Sequence, residues 1–152
     1  MVAVATKAPD FRMPDQDGNI HRLSDYKGKP IVLYFYPKDD TPGCTKEVCS
    51  FRDSFADFRR AGVVVLGISS DDENSHANFR QKDNLPFTLL SDTDKKVVEA
   101  YGVWVEKQNY GKKYRGIART TFLIDKSGDI IHVFEKVKPE EHAREVLDKL
   151  SG

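Results

Sequence analysis

The segment that decides the fold is Ile31-Val-Leu-Tyr-Phe-Tyr36, followed directly by Pro37-Lys-Asp-Asp-Thr41-Pro-Gly-Cys44. Its first six residues form a continuous apolar, β-branched and aromatic run, which is typical of a strand buried on both faces of a sheet. Thr41 followed by Pro42 predicts an N-cap and a proline at the first helical position. Cys44 would then be the third residue of a helix, at the carboxyl end of a buried strand, where open α/β sheets place their functional sites.

Further strands and helices are predicted on both sides of this unit. Apolar residues at intervals of three and four predict one helix over residues 42–61, and residues 63–69 are typical of the next buried strand. The other predicted elements are a helix that begins within 70–73 and runs to 82, a strand at 87–90, a short helix at 93–101, strands at 120–124 and 130–134, and a helix after Pro139.

Two further segments complete the prediction of the fold class. Residues 10–14 and 20–23 flank a turn and predict an amino-terminal β-hairpin, whereas residues 105–118 are polar and predicted to be irregular. Strands that alternate with helices predict an α/β fold with a mixed central sheet flanked by helices. A length of 152 residues suits one domain, residues 1–152.

The charge balance argues against nucleic acid and membranes as partners. Lysine plus arginine and aspartate plus glutamate number 24 each, so the net charge is zero. The basic residues Lys107, Lys112, Lys113 and Arg115 are therefore predicted to lie in a solvated loop. The apolar runs are far shorter than the ~20 residues of a membrane span. Because the first residues do not resemble a secretory signal, we expect a cytoplasmic protein.

The two cysteines, Cys44 and Cys49, both fall in the predicted helix at 42–61. Unpaired N–H groups and the positive dipole end of a helix favour a thiolate at Cys44. Five residues along an intact helix separate the two Cα atoms by about 8.6 Å, more than a disulfide spans. Either the two cysteines never meet or the helix start unwinds when they do. In the cytoplasm, redox chemistry and inert burial both remain possible for them.

The four histidines are scattered through the sequence at positions 21, 76, 132 and 142. None has metal-ligand spacing with a cysteine, so we expect no metal and no cofactor. Surface positions are predicted for them.

Several segments together resemble one protein family. The pattern Pro37-x-x-x-Thr41-x-x-Cys44 resembles that of peroxiredoxins, and Cys49 five residues further on resembles the peroxiredoxin Q group, also called bacterioferritin comigratory protein. The other matching segments are Lys7-Ala-Pro-Asp-Phe11, Gly67-Ile-Ser69, Phe87-Thr-Leu-Leu-Ser-Asp92, Tyr101-Gly-Val-Trp104 and Arg119-Thr-Thr-Phe-Leu-Ile-Asp125. The resemblance runs nearly end to end. It implies a thioredoxin-like fold and the thiol-dependent reduction of hydrogen peroxide and organic hydroperoxides.

The resemblance also implies roles for five residues. Cys44 is similar to the peroxidatic cysteine and Cys49 to the resolving cysteine, which would close an intramolecular disulfide. Thr41 resembles the hydroxyl that hydrogen-bonds the peroxide, Pro37 the ring that shields the pocket, and Arg119 the guanidinium beside the thiolate. The implied partners are a hydroperoxide and thioredoxin or a similar dithiol reductant. We expect a monomer, with a weak dimer as the alternative.

The residues leave other interpretations open. The chain is alternatively a thioredoxin-like disulfide-exchange protein or redox sensor, although it lacks the Cys-x-x-Cys of such oxidoreductases. A binding module with structural cysteines is a third hypothesis. Thr41 would cap the helix or contact substrate, and Arg119 would form an edge salt bridge or reach the pocket. Glu47 resembles a glutamate that orients the arginine in some members of the family, and a solvated helix charge is the alternative.

Overall fold

The computed structural model describes residues 1–135 and 141–151. The elements are, in chain order, β1 (Arg12–Pro14), β2 (Ile20–Arg22), β3 (Ile31–Phe35), α1 (Pro42–Asp53), α2 (Phe55–Arg60), β4 (Val64–Ser69), α3 (Glu73–Lys82), β5 (Thr88–Ser91), α4 (Lys96–Ala100), β6 (Trp104–Asn109), β7 (Lys112–Ile117), β8 (Thr120–Ile124), β9 (Ile130–Glu135) and α5 (His142–Ser151). One turn of 3-10 helix (Leu23–Tyr26) follows β2.

The central sheet has five strands in the order β5, β4, β3, β8, β9. β3 is parallel to β4, and β4 is parallel to β5, whereas β8 runs antiparallel to both β3 and β9. The predicted mixed sheet is therefore confirmed. Its parallel strands end at the same edge, which is also where α1 begins.

Both faces of the sheet are covered, as the continuous apolar run of β3 predicted, and all five residues of β3 are buried. Val32 and Tyr34 lie in a core with helices α1, α2, α3 and α5. Leu33 and Phe35 point to the opposite core, which contains residues of β1 and α4. The alternation of side chains along one central strand thus joins the two layers.

The amino-terminal hairpin is confirmed: β1 pairs antiparallel with β2, with Met13 opposite His21. The Asp15 carboxylate accepts hydrogen bonds from the backbone N–H groups of Asp17 and Asn19 and so holds the turn.

Two predictions were wrong in detail. The single helix expected over 42–61 is broken at Ser54, whose φ of −101° and ψ of 4° separate α1 from α2. The segment expected to be irregular is the antiparallel hairpin β6–β7, in which Val105 pairs with Gly116. Tyr110 and Gly111 form its turn with positive φ angles of 50° and 78°, which two-residue hairpin turns require.

The last predicted helix is present as α5, and the residues 136–140 around its predicted start lie outside the described part of the chain. Within residues 1–135 and 141–151, no helix has both the length and the apolar character needed to cross a membrane.

Candidate active site

The site is built around the start of α1, which follows β3 after the short loop 37–41. Thr41 has extended backbone angles, and Pro42 is the first residue of the helix. The first intrahelical hydrogen bond runs from the Thr45 N–H to the Thr41 carbonyl oxygen at 2.8 Å. Cys44 is therefore the third helical residue, as predicted, and its own N–H precedes that first bond. The positive end of the helix is thus directed at this cysteine.

The hydroxyl of Thr41 does not cap the helix, so this part of the prediction was wrong. Instead, Thr41 Oγ1 donates a hydrogen bond back to the carbonyl oxygen of Lys38 at 3.1 Å. In this conformation the single hydroxyl hydrogen is directed at that carbonyl, so a hydrogen bond from Thr41 to a peroxide would require the hydroxyl to rotate.

Arg119 reaches the sulfur of Cys44. Phe35 at the end of β3 lies opposite Thr120 at the start of β8, so the residue before Thr120 lies beside the chain that leaves β3. Arg119 Nη2 donates a hydrogen bond to Cys44 Sγ at 3.1 Å, and Cys44 is only 1% exposed. A Cβ atom at Gly43 would lie 3.3 Å from the same nitrogen, so glycine leaves the room that the guanidinium needs. A charge-assisted bond of this kind favours the thiolate.

Glu47 holds the other side of the guanidinium. Its Oε1 accepts a hydrogen bond from Arg119 Nη1 at 2.9 Å, and the residue is 0% exposed. The interpretation of Glu47 as a solvated helix charge is therefore wrong. Burial raises the pKa of the carboxyl to about 7, although the positive charge of Arg119 acts in the opposite direction.

The Arg119 cation is stabilised by this surrounding charge. Burial alone lowers its pKa, but the charges of Glu47 and Cys44 and the hydrogen bonds to both outweigh burial, so the net pKa shift is upward. The guanidinium side chain is 21% exposed. The interpretation of Arg119 as part of a solvent-exposed salt bridge at the sheet edge is therefore wrong.

Cys49 lies on α1 one and a half turns beyond Cys44, and both thiols are free. Burial raises the pKa of the Cys49 thiol; Arg52 opposes this shift, and Asp83 and Asp53 add to it. The sulfur of Cys49 therefore favours the protonated form in the closed conformation. Because α1 is continuous through both cysteines, their Cα atoms are held about 8.6 Å apart by helix geometry, beyond disulfide range.

The structure adds one cation that the sequence analysis placed in a solvated loop. Lys107 of β6 is half-buried, and its Nζ donates a hydrogen bond to the Ile117 carbonyl oxygen at 2.6 Å. Burial lowers the pKa of Lys107, the charge of Arg119 lowers it further, and the charge of Cys44 raises it. The signal available in the sequence was Gly116, whose missing side chain leaves space for the lysine stem.

The prediction of surface histidines was wrong for two of the four. His76 and His142 are both 0% exposed. His142 Nε2 lies 2.6 Å from Thr121 Oγ1, and burial lowers the pKa of this histidine to about 4, with a further contribution from the charge of Arg119.

Comparison with known proteins identifies the family of this chain. Residues 4–133 match the model of the AhpC/TSA family. The putative peroxiredoxin bcp of Coxiella burnetii is 57% identical over 149 residues, which cover 98% of this chain and 99% of the relative. The peroxiredoxin Bcp of Bacillus subtilis is 50% identical over 149 residues, 98% of this chain and 95% of the relative.

Solved structures give the same result. A cysteine-to-serine mutant of PrxQ from Xylella fastidiosa superimposes with a TM-score of 0.94 at 35% identity, covering 99% of this chain and 96% of the other. The bacterioferritin comigratory protein of Xanthomonas campestris, solved in trapped intermediate and ligand complexes that concern its alkyl peroxide reduction, gives a TM-score of 0.88 at 39% identity, covering 93% and 90%. The α/β fold of this chain is thus thioredoxin-like. The chain belongs to the AhpC/TSA family and, within it, to the peroxiredoxin Q group, so it is a thiol-dependent peroxidase.

Proposed function

We propose that Cys44 is the thiol that attacks the peroxide, and that Cys49 resolves the product as an intramolecular disulfide. The observation that carries this assignment is the hydrogen bond of 3.1 Å from Arg119 Nη2 to Cys44 Sγ. The second nitrogen of the same guanidinium is held by Glu47, which supports a fixed orientation of the cation.

The first step moves negative charge from sulfur to oxygen. A lone pair of the Cys44 thiolate forms an S–O bond with one peroxide oxygen, and the O–O bond breaks. The electron pair of the broken bond leaves on the other oxygen, which takes up a proton and departs as water or an alcohol. Arg119, the N–H groups at the start of α1 and the Thr41 hydroxyl would stabilise both the thiolate and the leaving oxygen. Pro37 would shield the pocket from water. Cys44 becomes a sulfenic acid.

The second step consumes the sulfenic acid. The Cys49 thiolate attacks the sulfur of Cys44, an S–S bond forms, the S–O bond breaks, and hydroxide leaves as water after protonation. Because the intact helix holds the two Cα atoms about 8.6 Å apart, the first turns of α1 must unwind before this bond can form. A thioredoxin-type dithiol then exchanges with the disulfide and returns both thiols.

The setting of the reaction follows from these requirements. Dithiol reductants of this type are kept reduced in the cytoplasm, and the proposal places the protein there, acting as one domain over residues 1–152. A monomer is sufficient, since both cysteines belong to one helix.

The test compares two cysteine variants in single-turnover reactions. Reduced protein is mixed rapidly with hydrogen peroxide, and the oxidation state of each cysteine is read by mass spectrometry after quenching. Cys44→Ser should show no fast peroxide consumption. Cys49→Ser should form the sulfenic acid at close to the parental rate, then fail to form the internal disulfide and lose turnover with a thioredoxin system. Undiminished peroxide consumption by Cys44→Ser would overturn the assignment.

A further inference from the structure

The loop 37–41 lies immediately before the helix that contains Cys44. A buried carboxylate within this loop, that of Asp39, holds it against α3. Asp39 Oδ1 accepts a hydrogen bond from the Tyr36 hydroxyl at 2.5 Å, and Oδ2 accepts one from Ser75 Oγ at 2.8 Å. The same Oδ2 lies 2.6 Å from His76 Nδ1. The backbone N–H of Asp39 donates to Asp71 Oδ2 at 2.8 Å. Four partners therefore fix one loop residue.

The imidazole of His76 connects this carboxylate to the sheet. His76 Nε2 lies 2.9 Å from the Leu90 carbonyl oxygen in β5, and since a carbonyl only accepts, Nε2 carries a hydrogen. The short contact of Nδ1 with Asp39 needs a second hydrogen between the two atoms. The side chains of His76 and Asp39 are 0% and 4% exposed, so this charge-assisted bond is shielded from water.

Asp39, Asp71 and His76 are also metal-ligand types, and their donor atoms lie within 4.8 Å of one another. All three side chains already have hydrogen-bond partners within the protein. Asp71 Oδ2, for example, accepts from both the Ser69 hydroxyl at 2.7 Å and the Asp39 N–H. The cluster is thus closed by its own hydrogen bonds, which favours a structural clamp over an ion site.

A second contact joins the next residue of the loop to the same helix. Asp40 has a positive φ of 58°, an unusual conformation for a residue with a side chain. Both of its carboxylate oxygens accept from Lys82 Nζ, at 2.7 and 2.9 Å. Lys82 is the last residue of α3, and Ser75 and His76 lie near its first turn. Two consecutive loop residues immediately before Thr41 are therefore held by the two ends of one helix.

We propose that the Asp39–His76 pair is a positioning clamp, which holds the loop 37–41 in the peroxide-reactive conformation and so sets the balance between this conformation and the unwound one that forms the disulfide. The proposal rests on the assignment of Cys44 and Cys49 made above. Among the described residues, neither Asp39 nor His76 forms a hydrogen bond or ion pair with a cysteine. Their effect is transmitted through Thr41 and the start of α1.

The clamp has a specific chemical consequence. Once Cys44 is a sulfenic acid, two reactions compete for it. In the closed conformation a second peroxide can add another oxygen to sulfur, with cleavage of its O–O bond and release of water or alcohol, and this gives sulfinic acid. In the unwound conformation Cys49 closes the disulfide. A weaker clamp should therefore slow the first oxidation but protect against overoxidation.

This pair of opposite effects distinguishes positioning from general destabilisation. Asp39→Asn keeps the size of the side chain and weakens its contact with His76. We expect the rate of Cys44 oxidation to fall in proportion to the closed population, because loss of a charge-assisted buried bond shifts the loop equilibrium towards the unwound conformation. The ratio of sulfinic acid to disulfide at high peroxide should fall by at least about fivefold, because this ratio follows the equilibrium between the closed and unwound conformations directly. Hydrogen exchange of residues 37–48 in the reduced protein should become faster.

Two replacements of His76 sharpen the test. The amide nitrogen of asparagine reaches the position of Nδ1 and can still donate to Asp39, whereas that of glutamine reaches the position of Nε2 and donates to Leu90 instead. His76→Asn should therefore lie closer to the parent than His76→Gln in both oxidation rate and sulfinic fraction. If these variants do not fold, Asp39→Asn and Ser75→Ala, which removes one donor to Asp39, provide the same measurement.

Asp72→Ala is the matched control. Asp72 accepts the N-cap hydrogen bond of α3 from the Ser75 N–H at 2.8 Å and makes no contact with Asp39 among the described residues. Its replacement weakens the start of the same helix, where the Ser75 hydroxyl donates to Asp39, so the sulfinic fraction should fall much less than in Asp39→Asn. The clamp is refuted if Asp39→Asn behaves like Asp72→Ala, or if its sulfinic fraction rises. Failure of the cysteine assignment would instead appear in the parent protein, as absence of peroxide oxidation at Cys44.

Discussion

Replacing Glu47 by glutamine should stabilise the protein at alkaline pH, even though Glu47 is the residue that holds Arg119. The carboxyl is fully buried, and Oε2 has no hydrogen-bond partner among the described residues. Burial therefore penalises its charged form, and the hydrogen bond from Arg119 to Oε1 compensates only in part. Glutamine has the same shape, carries no charge and still offers an oxygen to Arg119.

The magnitude follows from the raised pKa. The pKa of Glu47 rises from 4.5 to about 7 on folding, because burial outweighs the opposing effect of Arg119. Below pH 4.5 the carboxyl is protonated in both states and costs nothing. At pH values between 4.5 and about 7, the unfolded chain releases the proton while the folded chain keeps it. The free energy of unfolding therefore falls as the pH rises. Above pH 7 the cost is complete, and at 1.36 kcal/mol per pKa unit it amounts to roughly 3 kcal/mol.

The measurement is urea unfolding of the reduced parent and of Glu47→Gln at pH 5 and pH 8.5. The advantage of glutamine should be small at pH 5 and grow to roughly 3 kcal/mol at pH 8.5. Glu99→Gln, on an exposed position of α4, is the control and should change stability by less than about 0.5 kcal/mol at either pH. An advantage of equal size at both pH values would refute the reasoning, because it would not depend on ionisation of the buried carboxyl.

Two further predictions concern the chemistry of α1. Arg119→Lys keeps a positive charge but loses the two nitrogens that contact Glu47 and Cys44. Rapid mixing with peroxide should therefore show that Cys44 oxidation is slowed by about tenfold to a hundredfold. If Arg119→Ala reacts at the parental rate, Arg119 takes no part in the reaction. Formation of the disulfide should unwind the helix start, so hydrogen exchange over residues 42–50 should be faster in the oxidised protein than in the reduced one. Equal protection in both forms, with the disulfide confirmed by mass spectrometry, would contradict the requirement for unwinding.

The elements that sequence analysis predicted correctly are those whose burial pattern is local. β3 was predicted from its continuous apolar run, and all five of its residues are buried. The break between α1 and α2 was missed because the apolar spacing continues across Ser54. Phe51 and Phe58, on either side of the break, still contact each other with ring centroids 5.7 Å apart. Hydrophobic periodicity therefore predicts which residues share a buried face, but it does not show whether the helix is continuous between them.

The hairpin β6–β7 was missed for the converse reason. Most of its residues are exposed on both faces, so no apolar alternation marks the strands. Only the turn at Tyr110 and Gly111 carries a local signal. Long-range partners explain the burial of two polar residues: His76 is buried because Leu90 and Asp39 satisfy its ring, and Glu47 because Arg119, 72 residues away, meets its carboxylate. The contact of Glu47 with Arg119 was one of two interpretations, and only the resemblance suggested it. Neither partner can be read from the residues around the histidine or the glutamate.

The contacts of α1 would confine the unwinding that the proposed disulfide requires. Ser50 Oγ accepts the Ala143 N–H of α5 at 3.1 Å, and Phe51 packs on the His142 ring at 5.4 Å between centroids, so the helix is held just beyond Cys49. The clamp at Asp39 holds the chain before Cys44.

Unwinding opposes the clamp and must also break the contacts of Arg119 with Cys44 and Glu47. In the unwound form we expect Glu47 to leave its buried position and become hydrated, which at a pH above 7 would return the roughly 3 kcal/mol that burial of its charge had cost. The residue that orients Arg119 for peroxide attack thus also lowers the free energy of opening for the next step. Glu47→Gln, which stabilises the closed form, should therefore slow disulfide formation at pH 8.5 more than it slows the first oxidation of Cys44.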